Sequence, residues 1–293
     1  MKNKKALKQN AITYGMVIAF WAVIQIMMMT GNLSSLAKGL LVPICMYVIL
    51  AVSLNLTVGI LGELSLGHAG FMCVGAFSGA FFTKVAESAI PSVGVRFFIA
   101  LLIGAAVAGL CGFLIGIPVL RLKGDYLAIV TLAFGEIIKN LINVMYVGVD
   151  QHGFHFSIKD TTSLGMDETG VVIIKGAQGI TGTPKAATFA VSILLVLLTL
   201  VIVLNLINSR TGRAVMSIRD NRIAAESVGI NITKYKLMAF AISASLAGVA
   251  GVLYAHNLSS LAATPKNFGY NMSIMILVYV VLGGLGNIRG SII

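Results

Sequence analysis

Six apolar runs recur along this chain, at 11–30, 40–58, 97–119, 126–147, 186–207 and 237–256. Each is close to the roughly 20 residues that a helix needs to cross the hydrocarbon core of a bilayer. A seventh run, 271–282, is shorter, and a glycine-rich stretch at 66–82 sits at the lower limit for a crossing or a re-entrant helix. The pattern predicts an all-α polytopic membrane protein with about eight transmembrane or re-entrant helices. Composition agrees: 58% of residues are hydrophobic and 11% charged, against about 45–50% and about 25% in soluble domains. So few charges cannot cover a soluble surface. A soluble enzyme, a nucleic-acid-binding module and a disordered chain are thereby excluded.

The first run follows Lys2, Lys4, Lys5 and Lys8, and Ser35-Leu36-Ala37 resembles a signal cleavage site. Its apolar stretch is longer than a usual signal core, and further spans follow, so a retained helix is expected. Residues 1–10 then form a cytoplasmic basic segment, and 11–293 a single transmembrane domain.

Basic residues set the orientation. Eight crossings with the N-terminus inside place thirteen of the 21 Lys and Arg residues on inner segments. They are Lys2, Lys4, Lys5, Lys8, Arg121, Lys123, Arg210, Arg213, Arg219, Arg222, Lys234, Lys236 and Arg289. Seven fall outside, and Lys139 lies within a span. The net charge of +11 is thus a mark of orientation, and no nucleic-acid partner is expected.

Two polar segments interrupt the spans. Residues 149–185, expected outside, carry Asp150, Asp160, Asp167 and Glu168, with turn formers at 176–184. Residues 208–236, expected inside, offer Asp220 or Asn221 as the cap of a short helix through Val228, with Gly229 ending it. Such a helix suits docking on a soluble partner, and a solvated basic loop is the alternative.

Catalytic motifs are absent. There is no phosphate loop, no H-E-x-x-H and no G-x-S-x-G. His152 and His155 lie close together in a polar loop without a third ligand, so neither a metal nor a cofactor is expected. The three cysteines show no disulfide or metal spacing. Ionisable groups at membrane depth carry more information. Glu136 and Lys139 stand three apart on one helix face and can pair, either bordering a solute pathway or joining helices. Asn55, Asn140 and Asn143 admit the same two readings. Gly75-x-x-x-Gly79 and Gly112-x-x-x-Gly116 permit close helix approach. A faint internal echo links GILGEL at 59–64 with GGLGNI at 283–288.

Four segments together resemble the permease subunits of branched-chain amino-acid ABC importers, in the LivM-like branch. They are LNLTVGILGELSLGHAGF (54–71), RLKGDYLAIVTLAFGEII (121–138), the basic loop with Arg213 and IAAESVGI (223–230), and VLGGLGNIRG (281–290). The similarity runs from about residue 40 to the last residue. It implies an ABC importer permease bundle in a bacterial plasma membrane. The expected partners are a second, LivH-like permease subunit, two cytoplasmic ATPase subunits and an extracytoplasmic solute-binding protein. It also implies that Arg213, Ala224, Ala225, Glu226 and Gly229 belong to an ATPase-coupling loop. Among the polar residues at membrane depth, Asn55, Glu136, Lys139 and Asn143 remain the candidates for lining a pathway. The chain itself is then a transporter subunit rather than an enzyme. Two departures stand out: QGITG at 178–182 replaces a Gly-Gly-x-x-Gly-Ile pattern, and the chain stops just after Gly290, where relatives continue, so a truncated C-terminus is expected. Alternatives are urea, short amides or other amino acids as the solute, or an ion-coupled secondary transporter.

Overall fold

The computed structural model describes residues 4–122, 124–150, 152–167 and 170–293, with side chains from residue 10 onward. Lys2, Lys123 and Glu168, and the side chains of Lys4, Lys5 and Lys8, lie outside the described residues. The chain opens with α1 (Lys4–Met29) and α2 (Ser35–Asn55), which widens into a π-helix at Leu56–Leu61. Next come α3 (His68–Val85), α4 (Val93–Val119) and α5 (Asp125–Val144). Short strands β1 (Tyr146–Asp150), β2 (Gly153–Ser157), β3 (Val171–Lys175) and β4 (Ile180–Thr181) precede α6 (Phe189–Asn208). Two polar helices, α7 (Arg210–Asp220) and α8 (Arg222–Ser227), lead to α9 (Ile232–Ala255). The chain ends through β5 (Ser260–Leu261), α10 (Pro265–Phe268) and α11 (Tyr270–Gly283).

Among the described residues, α1, α2, α4, α5, α6 and α9 are long and apolar enough to cross a membrane. The two remaining expected crossings are built differently. α3 has 18 residues, about 27 Å at 1.5 Å per residue. It runs parallel to α9: Phe71 meets Phe240 edge-on at 5.5 Å, and Thr83 Oγ1 meets His256 Nε2 at 3.0 Å. The last expected crossing corresponds to α11, of 14 residues, preceded across Gly269 by the four-residue α10.

Helices in lipid gain little from burying apolar surface against one another, so backbone approach and polar contacts decide their association. Here α3, α4 and α9 meet at three glycines. A Cβ on Gly75 would fall 2.3 Å from Gly248 Cα, and one on Gly248 would fall 2.5 Å from Gly104 O. A Cβ on Gly104 would strike Val252 at 2.2 Å. The two glycine pairs read from the sequence serve this same packing. Gly79 abuts Val252, and Gly112 and Gly116 abut Ala244 and Leu237. Polar contacts add to it: Ser243 Oγ donates to Ser53 O at 2.5 Å, and His68 Nε2 lies 2.7 Å from Ser53 Oγ. By contrast only 11% of the apolar stretch of α1 is enclosed, against 78% for α2. α1 is peripheral.

Periodicity misjudged two places. The run at 126–147 is helical only to Val144, and Tyr146 and Val147 belong to β1. The outer segment also holds a three-stranded antiparallel sheet, in the order β2-β1-β3, which the sequence reading treated as loop. Its alternation is readable afterwards: Phe154 and Phe156 face outward while His155 turns in. Strands of five residues flanked by turns were too short to register against long apolar spans.

The two polar segments lie at opposite ends of the bundle. At one end Ala187 N donates to His256 O and Gly182 N to Ser259 O. At the other, Arg219 reaches Gly59 and Lys236 pairs with Glu63.

Candidate functional site

The break at Gly269 starts α11 beside α5. The first amides of a helix lack internal acceptors and carry partial positive charge. No side chain of α11's own N-cap serves them. Glu136 of α5 does: its Oε1 accepts from Tyr270 N at 2.7 Å. Its Oε2 takes the Lys139 ammonium at 2.5 Å. Lys139 is 6% exposed and Glu136 26%. The pairing expected from the i, i+3 spacing is therefore present, and it also spans to another helix.

α3 begins at the same level. After the turn at Gly62 the chain has no regular secondary structure through Gly67. Leu66 N donates to Thr131 Oγ1 at 3.0 Å, and Ala69 N to Ser273 Oγ at 3.1 Å. Gly67 and Gly70 let this start approach α5 closely, since a Cβ at Gly70 would lie 2.6 Å from Gly135 Cα. Two helix starts thus converge on one face of α5 around a carboxylate and an ammonium. Discontinuous helices that aim their ends at one level of a bundle are a recurring way to build a polar station inside a membrane. Asn143 is half-buried one turn beyond Lys139, and Asn140 is exposed. Asn143 shares the face of α5 that carries Glu136 and Lys139.

Asn55 lies elsewhere. It is fully buried, donating from Nδ2 to Ser291 Oγ at 2.7 Å and accepting at Oδ1 from Gly286 N at 2.8 Å. Its amide pins the loop after α11 to the end of α2. The two echoing glycine stretches meet here: a Cβ on Gly59 would fall 2.2 Å from Gly286 N. Gly62 and Gly286 hold nearly the same left-handed φ, +80° and +79°.

Below this node lies the polar segment 208–236. Ser209 caps α7 by accepting from Gly212 N at 3.1 Å, and Asn221 caps α8 by accepting from Ala224 N at 3.1 Å. Gly229 closes α8 at φ +84°. Asn221 was one of the two caps expected, whereas α7 was not anticipated. Arg213 is exposed and donates to Asn208 O at 3.2 Å, satisfying a carbonyl at the end of α6. Ala225 is buried with Ile218 and Ile232, whereas Ala224, Glu226 and Gly229 are exposed. The sequence reading passed over Ile223 and Val228, which are 81% and 75% exposed beside them. Two large apolar residues presented by a polar helix outside the spans were the available signal.

At the opposite end, the β1–β2 hairpin is locked by Asp150. Its Oδ1 accepts from His152 N at 2.7 Å and Gly153 N at 3.1 Å, and its Oδ2 meets His155 Nε2 at 2.9 Å. Removal from water raises this carboxyl, but the hydrogen bonds from His152 N and His155 outweigh it and hold it below the usual aspartate value. His152 pairs with Asp167. Among the described residues no group of three or more His, Cys, Asp or Glu could hold a metal ion.

Residues 35–293 match the family described as the permease component of branched-chain amino acid transport systems. The chain is 36% identical over 251 residues to the high-affinity branched-chain amino acid transport system permease protein LivM of Escherichia coli, and equally so to that of Salmonella typhimurium. Each alignment covers 82% of this chain and 57% of the relative, so the chain spans little more than half of their length. The probable LivM permease protein of Methanocaldococcus jannaschii is 26% identical over 278 residues, covering 84% of this chain and 74% of that protein. No solved structure matches.

Proposed function

The chain belongs to the family of permease components of branched-chain amino acid transport systems, and on that premise we propose that it is a membrane subunit of an ATP-driven importer of leucine, isoleucine and valine. It forms part of the translocation pathway, and ATP is hydrolysed on separate subunits. A second permease subunit completes the pathway, one of two ATPase subunits docks on α7–α8, and a solute-binding protein delivers solute at the end carrying the β-sheet. The observation that carries the reading is the exposed α8 surface of Ile223, Glu226 and Val228. These residues lie outside every apolar span, where lipid does not account for two bare aliphatic side chains. Glu136 and Lys139 offer an acceptor and a donor at membrane depth, which suits the passage of a zwitterion.

Labelled-leucine uptake in cells with and without the partner ATPase subunits tests this directly. Uptake is expected only with them. Uptake without ATPase subunits would identify a secondary transporter, and competition by urea or short amides would reassign the solute.

Docking through α8 carries its own expected result. Ile223→Asp places a charge where an apolar contact is proposed, and Glu226→Lys reverses one. Each is expected to cut uptake at least tenfold while leaving the protein in the membrane, since repulsion at such a contact costs several kcal/mol. Co-purification of the ATPase subunits is the check. Normal retention and normal uptake in both variants would remove α8 from the docking surface.

We also propose that residues 208–236 are cytoplasmic and 149–185 extracytoplasmic, following the basic asymmetry. Ser227 and Thr162 are both exposed. Cysteines placed there, in a background lacking the half-buried Cys111, should react with an impermeant maleimide from opposite sides. Labelling from one side alone would sink the topology.

A further inference from the structure

The sequence motif for the coupling loop did not include Arg219, yet this residue makes the only guanidinium contact between α7 and the turn that leads into α3 among the described residues. Arg219 Nη1 donates to Gly59 O at 3.0 Å. Gly59 lies in the last turn of the π-helix, where carbonyls lack a partner within the helix. The aliphatic arm of Arg219 lies on the next turn: a Cβ at Gly62 would fall 2.6 Å from Arg219 Cγ. Asp220 Oδ1 accepts from both Nε, at 3.1 Å, and Nη2, at 2.9 Å, so the plane of the guanidinium is fixed. The same group lies near the second glycine turn, since a Cβ at Gly286 would be 3.8 Å from Nη1.

What this contact touches gives it meaning. Four residues past Gly59, Glu63 pairs with Lys236 at the start of α9. The chain then runs irregularly to Leu66 and enters α3, the amides of Leu66 and Ala69 being held by Thr131 of α5 and Ser273 of α11. One short backbone segment therefore joins α7 to the junction around Glu136. Gly62, at φ +80°, is a backbone position that other residues rarely adopt.

We propose that Arg219 is the positioning residue that transmits displacement of α7 to the Gly59–Gly67 segment, and through it to the start of α3. The proposal rests on the docking reading above. When the docked ATPase subunit moves α7, the guanidinium carries the Gly59 carbonyl with it. The segment then shifts at its far end, where it registers α3 against α5 and α11.

The test uses the complete transporter in proteoliposomes with a cysteine at position 65. Ser65 is 2% exposed, so a thiol there reports opening of the segment. With Arg219 present, vanadate trapping is expected to raise labelling of this cysteine severalfold over the nucleotide-free state. In Arg219→Gln the rise should vanish and uptake should fall at least tenfold, while ATP hydrolysis stays within twofold. Arg219→Lys, which keeps a charged donor of similar reach, should restore part of both signals. A labelling response in Arg219→Gln equal to that of the parent would overturn the proposal, as would loss of the ATPase subunits from that variant, which would make Arg219 a docking contact. A parent complex that shows the labelling response but imports no branched-chain amino acid would instead remove the transport reading and leave the linkage standing.

Discussion

Replacing Glu136 by alanine should destabilise the bundle by about 2–4 kcal/mol, somewhat below the roughly 3–5 kcal/mol lost when one partner of a fully buried pair is removed, because Glu136 is 26% exposed. Two losses combine. Lys139, 6% exposed, is left charged without its carboxylate, and the Tyr270 amide at the start of α11 loses its acceptor. For a chain of this size that range corresponds to a fall in Tm of roughly 10 °C, readable by fluorescence-detected size exclusion after heating in detergent. Glu136→Ala combined with Lys139→Met should recover most of it, because the stranded ammonium is gone. The double variant separates brace from pathway. Stability is expected to return and leucine uptake is not. Recovery of both would make the pair purely structural, and a single variant as stable as the parent would remove the pair from the bundle's energetics altogether.

The second large effect is expected at the meeting of α3, α4 and α9. Gly75→Leu should leave no folded protein, and Gly75→Ala should cost about 2–4 kcal/mol, as overpacking against atoms that cannot move does. The atoms in the way of a Cβ are Gly248 Cα at 2.3 Å and Gly248 O at 2.5 Å, both backbone. Relief would require separating two helices along their contact. Gly94→Ala is the control, because nothing lies within 4 Å of its added methyl group. Comparable Tm values for Gly75→Ala and Gly94→Ala would show that the three helices do not meet as described.

The spans were legible because a bilayer imposes one length on every crossing. The predicted starts and ends of α4, α6 and α9 lie within five residues of those observed. The glycine pairs were legible for a related reason: small residues one turn apart mark close approach whatever their partner. What escaped was non-local or short. Nothing near Glu136 in sequence announces Tyr270, 134 residues later. α7 hides because its buried face is only Gly212, Val215 and Ile218 in an otherwise polar stretch. Asn55 was readable as a buried amide, but its partners, Gly286 and Ser291, lie across the glycine echo. In a chain with 32 glycines such an echo arises easily by chance. Its two copies touch.

The lengths of the helices divide the bundle by its response to the surrounding lipid. α4, exposed along much of its length, has 27 residues, about 40 Å at 1.5 Å per residue. A hydrophobic stretch longer than a roughly 30 Å core is accommodated by tilt or by local thickening of the bilayer. α3, with 18 residues of which twelve are buried, is enclosed by other helices rather than matched to acyl chains. Hydrophobic mismatch therefore acts on the perimeter, while the polar junction at the start of α11 is set by contacts internal to the protein. A thinner or thicker membrane would change the inclination of α4 before it changed the distance between Glu136 and Tyr270.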